Sequence, residues 1–142
     1  MKDLKFALIC LIIVLAMSSC NRFDEGPAFS LLSAKSRLTG DWEIVDFVGP
    51  DAEDYLDYLN DGYEWFFEFE KGGDGEFGYR YGSLQYSNLI EWELDEDELE
   101  ISFAGNDISQ TWEIQRLTNK ELEMQLKGEG VDIMTWVFEK ED

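Results

Sequence analysis

Histidine is absent from this chain altogether. That removes the commonest general base and the commonest metal ligand, so no nucleophile–histidine pairing can be drawn. Cysteine is nearly absent, with only Cys10 and Cys20, and so is proline, with only Pro27 and Pro50. Positive charge is scarce: 11 lysines and arginines stand against 32 aspartates and glutamates, for a net charge of −21. Such a surface repels phosphate backbones and anionic headgroups, which excludes nucleic acid as a partner. Long apolar runs are missing too. The longest, from Phe6 to Met17, falls short of the roughly 20 residues that a transmembrane helix needs.

The short run has another use. Lys2 and Lys5 precede it, the small residues Ser18 and Ser19 follow it, and Cys20 comes next. This is the three-part layout of a secretory signal. Met17-Ser-Ser-Cys20, with methionine where leucine is usual, resembles the lipobox of bacterial lipoproteins. The resemblance implies that residues 1–19 are removed as a signal peptide and that Cys20 is diacylated with palmitate-type chains. Two or more acyl chains hold a protein at a membrane without a spanning helix. Asn21 stands where aspartate marks inner-membrane retention in such lipoproteins. That implies the outer membrane of a Gram-negative envelope, with the face left open. An ordinary secreted protein with a free Cys20 is the alternative. Cys10 leaves with the signal and Cys20 is lipidated, so no disulfide is expected. Roughly 120 residues remain, enough for one compact domain.

Residues 20–37 read as a lipidated tether and a short helix, with Leu31, Leu32, Ala34 and Leu38 at helical spacing between Phe29 and Leu38. From residue 38 to residue 142 the period becomes two. Trp42 and Ile44, then Trp65, Phe67 and Phe69, then Phe77, Tyr79 and Tyr81, alternate with polar neighbours. So do Ile90, Trp92 and Leu94; Leu99, Ile101 and Phe103; Ile108, Trp112 and Ile114; Leu122, Met124 and Leu126; Met134, Trp136 and Phe138. Each segment has one apolar and one wet face, as an antiparallel strand does. The joins carry turn residues, such as Gly72-Gly73-Asp74-Gly75 and Gly128-Glu129-Gly130, and only the connection from Gly49 to Gly62 is long. Eight consecutive hairpin strands close most simply on themselves, which removes both edges. The expected fold is an all-β, eight-stranded, antiparallel up-and-down barrel.

Leu38-Thr-Gly-Asp-Trp42-Glu-Ile44 after a short helix resembles the Gly-x-Trp opening of the lipocalin or calycin group. Trp112-Glu-Ile-Gln-Arg-Leu-Thr118 and Lys120-Glu-Leu122-Glu-Met124 are similar to late strands of small lipocalin-like bacterial lipoproteins. The Thr-Asp-Tyr stretch and late-strand arginine of other lipocalins have no counterpart at matching places. The resemblance implies a barrel with one open end and one end plugged by the helix. Gly40 and Trp42 belong to the plug, and Arg116, late on the sixth strand, is expected beside the Trp42 ring.

Most carboxylates fall on outward parity, where water keeps them ordinary acids. The acidic stretches Asp95-Glu96-Asp97-Glu98 and Asp74-Gly-Glu76 lack the ligand spacing of a calcium loop. No catalytic role, metal or cofactor is therefore expected. Aromatics carry the information instead. Trp42, Trp65, Trp92, Trp112 and Trp136 all take the inward parity, which favours a largely filled barrel. The long loop, bearing Tyr55, Leu56, Tyr58 and Leu59, reads as a lid or contact surface over the open end. Tyr55, Tyr58, Trp65, Tyr79, Tyr81, Phe103, Gln110 and Met134, with Tyr63, are expected to line the mouth. Two readings follow: a membrane-anchored binder of a small apolar or amphipathic ligand, or a protein-interaction scaffold with a filled barrel. Neither names a protein partner.

Overall fold

The computed structural model describes residues 32–142. The signal peptide, Cys20 and the start of the expected helix lie outside the described residues. Helix α1 (Ala34–Leu38) leads into β1 (Gly40–Val48), helix α2 (Glu53–Asn60), β2 (Tyr63–Phe69) and β3 (Asp74–Tyr81). Then come β4 (Leu84–Asp95), β5 (Glu98–Phe103), β6 (Ser109–Leu117), β7 (Glu121–Lys127) and β8 (Thr135–Lys140). Every strand pairs antiparallel with its sequence neighbours, and β8 returns to β1 through pairs such as Ile44 with Phe138. The sheet is a closed barrel with no free edge, as the alternating pattern and short joins require.

The lumen is filled. Trp42, Trp112, Phe67, Phe69 and Phe138 are buried with Ile44, Ile90, Leu99, Ile101, Ile114, Leu117, Leu122 and Met124. Trp65 and Trp136 pack against this core while keeping part of their surface open. Phe67 stacks on Phe69 at 5.3 Å, and Trp112 meets Trp136 edge to face at 4.9 Å.

Two bulges shift the inward parity partway along a strand. In β1 the register slips between Ile44 and Asp46, so Phe47, rather than Asp46 or Val48, turns inward opposite Trp136. In β6 the slip between Ile114 and Arg116 puts Leu117 inside and Arg116 outside, level with Glu123. Uninterrupted alternation places Arg116 beside Trp42. The bulge corrects this, and Arg116 pairs with Glu121 at 2.7 Å and Glu123 at 3.7 Å on the outer surface.

The cation over the Trp42 ring is Lys140, with Nζ 5.0 Å from the centroid. Lys140 also donates to the Arg37 carbonyl at 2.9 Å, and Arg37 Nη1 donates to the Leu117 carbonyl at 3.0 Å. Trp42 Nε1 donates to the Leu38 carbonyl at 2.6 Å. The last carbonyls of α1, which have no partner within so short a helix, are thus taken up by the barrel. Gly40 makes room: its φ is +129°, and a Cβ there would lie 2.5 Å from Lys140 Cε. Burial pushes the Lys140 ammonium below its ordinary range.

Candidate ligand cavity at the open end

The long connection is not an open loop. Ala52, Tyr55, Leu56 and Leu59 recur at helical spacing, acids Glu53 and Asp54 fall at the positive end of the helix dipole, and the segment forms α2. Ala52 is buried, and Tyr55, Leu56 and Leu59 pack against the core. The helix lies over β1 and β2, so it covers one half of the open end.

A cavity of about 370 Å³ remains beneath and beside it, lined by Phe47, Tyr55, Tyr58, Tyr63, Trp65, Tyr79 and Trp136. Ring contacts group these residues into two walls. Tyr58 meets Tyr63 at 5.8 Å, Tyr63 meets Tyr79 at 5.7 Å, and Tyr79 meets Trp65 at 5.4 Å. On the other side Phe47 meets Tyr55 at 5.5 Å and Trp136 at 5.1 Å. Below, Trp65 stacks on Phe77, Phe77 on Phe67, and Phe67 leans on Phe138 next to Trp136. The cavity is a cleft whose floor is the barrel core.

The rim is held by polar contacts. The Tyr55 hydroxyl donates to Asp132, and the Ile133 amide donates to Asp51 Oδ2 at 2.7 Å. Both tie α2 and its approach to the β7–β8 connection. Gly49 permits that approach, because a Cβ there would lie 2.7 Å from the Ile133 carbonyl. The hydrogen bond to Asp132, with burial second, pushes the Tyr55 hydroxyl up to about 12. Tyr55 is therefore a neutral hydrogen-bond donor at physiological pH, and it ties the rim.

Five of the residues expected at the mouth, Tyr55, Tyr58, Tyr63, Trp65 and Tyr79, do meet in this cavity. The other four do not line it. Tyr81 is 46% exposed and stacks on Tyr63 at 4.6 Å, outside the cleft. It does so because β3 and β4 pair as far as Tyr81 with Leu84, carrying the hairpin past the rim. Phe103 packs edge-on to Phe77 at 6.2 Å, and Gln110 sits opposite Ile101 in the β5–β6 ladder. Both strands lie across the barrel from the half that α2 covers. Met134 is buried in the core behind Gly49. Phe47 was hidden from simple alternation by the β1 bulge. Trp136 was legible as an inward residue, but not as a wall of the cleft.

Among the described residues no group of three acidic or cysteine side chains is placed to hold a metal ion. A second surface depression, beside Gly73, Asp74, Glu91, Glu93 and Glu100, is a solvated acidic hollow on the outer face.

A closed eight-stranded meander, a Gly-x-Trp start under a short helix and one open end are now in place. A family model described as a lipocalin-like domain matches residues 38–124, more than half of the chain. The chain belongs to the lipocalin-like domain family. Comparison with curated proteins and with solved structures finds no match. Within the lipocalin-like plan, this barrel has its interior filled among the described residues to the level of Phe67 and Trp112, with the aromatic cleft above. Membership fixes the scaffold and does not by itself fix a function.

Proposed function

We propose that this protein is a lipid-anchored lipocalin-like lipoprotein that binds a small apolar or amphipathic molecule in the open-end cleft. The observation that carries the reading is the concentration of seven aromatic side chains around about 370 Å³ of space in an otherwise packed barrel. That volume lies at the small end of ligand sites, which run from about 300 to 1,000 Å³. Tyrosines Tyr55, Tyr58, Tyr63 and Tyr79 add polar tips to apolar walls, which suits a ligand with both characters. Anchoring rests on the Met17-Ser-Ser-Cys20 sequence, and Asn21 in place of a retention aspartate supports an outer-membrane address in a Gram-negative envelope. The described chain enters the barrel at the closed end, so the tether joins the fold opposite the cleft.

A specific observation favours a second reading, that of a protein-interaction scaffold. The lumen below the cleft is full, and the β3–β4 hairpin exposes Tyr81, Leu84 (70% accessible) and Tyr86 just outside it. Native mass spectrometry of protein drawn gently from its own membrane separates the two. The binding reading expects a small molecule retained at one per chain, released on replacing Tyr58 and Tyr79 by leucine. Bare protein, together with a panel of apolar and amphipathic molecules that gives no saturable change in tryptophan fluorescence, supports the scaffold.

A further inference from the structure

The chemistry of the cleft narrows the ligand, on the reading that it is a ligand site. Its lining holds no lysine or arginine and no aliphatic side chain. No cation is there to pair a fatty-acid carboxylate, and a purely apolar ligand is served by leucine and valine as well as by rings. Ring faces differ from aliphatic walls in one respect: they carry the negative side of a quadrupole and attract a positive charge within about 6 Å of the centroid. Neighbouring rings along each wall stand 5.1–5.8 Å apart, so a cation against either wall is within reach of more than one.

The charge of the barrel is polarised in the same sense. The connection over the cleft carries Asp51, Glu53, Asp54, Asp57 and Asp61 and no basic residue. Asp132 adds a carboxylate at the rim, where Tyr55 holds it. Lys35, Arg37, Lys71, Arg116, Lys120 and Lys140 lie toward the closed end, in α1, in turns or near strand ends there. The remaining cations among the described residues are taken on the outer face: Arg80 pairs with Glu141 and covers Phe66, and Lys127 pairs with Glu98. A negative field therefore surrounds the mouth, which concentrates cations and turns anions away.

We propose that the cleft takes an organic cation, a quaternary ammonium or protonated tertiary amine with a small apolar body, held between aromatic faces. The same head is carried by a free amine and by a choline lipid headgroup. The test uses the purified mature protein and four probes, followed by calorimetry and tryptophan fluorescence: choline, its neutral carbon isostere 3,3-dimethylbutan-1-ol, laurate and glycerophosphocholine. Choline binding about tenfold tighter than its isostere, excluding laurate and weakening with salt, is the expected result. Tyr58→Leu, at a side chain 49% exposed, is expected to weaken choline about tenfold with the urea midpoint unchanged. Tyr79→Leu provides a second position should that one repack. Glycerophosphocholine binding as well as choline identifies a lipid headgroup as the source, and choline alone identifies a free cation. An isostere that binds as tightly as choline, or laurate that binds tighter than both, overturns the cation while leaving the small-ligand reading standing. No saturable binding by any of the four overturns the cation, while a small molecule retained in native mass spectrometry keeps the small-ligand reading standing.

Discussion

Replacing Gly40 by alanine tests how the closed end is built. Gly40 has φ +129°, a region that L side chains rarely adopt, and an added Cβ meets Lys140 Cε at 2.5 Å. The backbone strain alone costs about 1–3 kcal/mol. The clash falls on a flexible side chain, so Lys140 moves rather than the backbone. In moving it leaves the Trp42 ring and the Arg37 carbonyl. A cation over an indole is worth about 0.5–2 kcal/mol, and a hydrogen bond about 1 kcal/mol. The sum predicts a loss of about 2.5–6 kcal/mol for Gly40→Ala, read from urea unfolding by tryptophan fluorescence. The diagnostic quantity is the double-mutant cycle with Lys140→Ala. Once Lys140 is truncated, the clash and the displaced contacts are gone and only the strain of φ remains. The double variant is then less damaged than the sum of the singles, by about 1.5–3 kcal/mol. Additive effects, or a Gly40→Ala variant within 0.5 kcal/mol of the parent, refute this account of the plug.

Three further outcomes follow from the packing and the electrostatics. Trp42→Ala should cost about 3–5 kcal/mol in urea unfolding, because it empties the plug and strands the Leu38 carbonyl. A loss below 1 kcal/mol contradicts the packing. Burial first, with neighbouring carboxylates behind it, holds the carboxyls of Glu43 and Glu68 above their ordinary range. The folded state then binds protons more tightly than the unfolded one, so stability is greatest below the ordinary carboxylate value and falls as pH rises through the folded values. The urea midpoint is accordingly higher at pH 5 than at pH 7.5, and Glu43→Gln with Glu68→Gln flattens the slope; a midpoint that rises with pH refutes it. Tyr55→Phe removes the bond to Asp132 and should speed amide exchange at Ile133 severalfold, whereas unchanged protection means the clasp is not needed.

The barrel was legible because period-two alternation, turn residues and short joins everywhere but between Gly49 and Gly62 all demand the same topology. The site was legible only in part. Trp65 and Tyr79 follow directly from parity, and Tyr55 and Tyr58 from their place in the long connection. Phe47 and Arg116 do not, because a one-residue bulge reverses the inward face beyond it and leaves no mark in composition. The spacing of Ala52, Tyr55, Leu56 and Leu59 did carry a helical signal within that connection. Read as a loop, it gave no reason to place the cleft on the β1–β3 side rather than centrally. Phe103 and Gln110 had the right parity and the right level but the wrong side of the barrel. Only the position of α2 decides the side.

The central claim is that ligand enters the aromatic cleft and goes no deeper. The five indole N–H resonances of the labelled protein test it directly while choline, or an apolar probe that binds, is titrated in. Trp65 and Trp136 line the cleft and should shift along a saturable curve. Trp112, edge to face with Trp136 and with its buried Nε1 lacking an acceptor, should follow weakly. Trp42 and Trp92, toward the closed end and bonded through Nε1 to the carbonyls of Leu38 and Asp74, should stay still. Saturable shifts at Trp42 or Trp92 with Trp65 and Trp136 unmoved would place the ligand elsewhere and contradict the account.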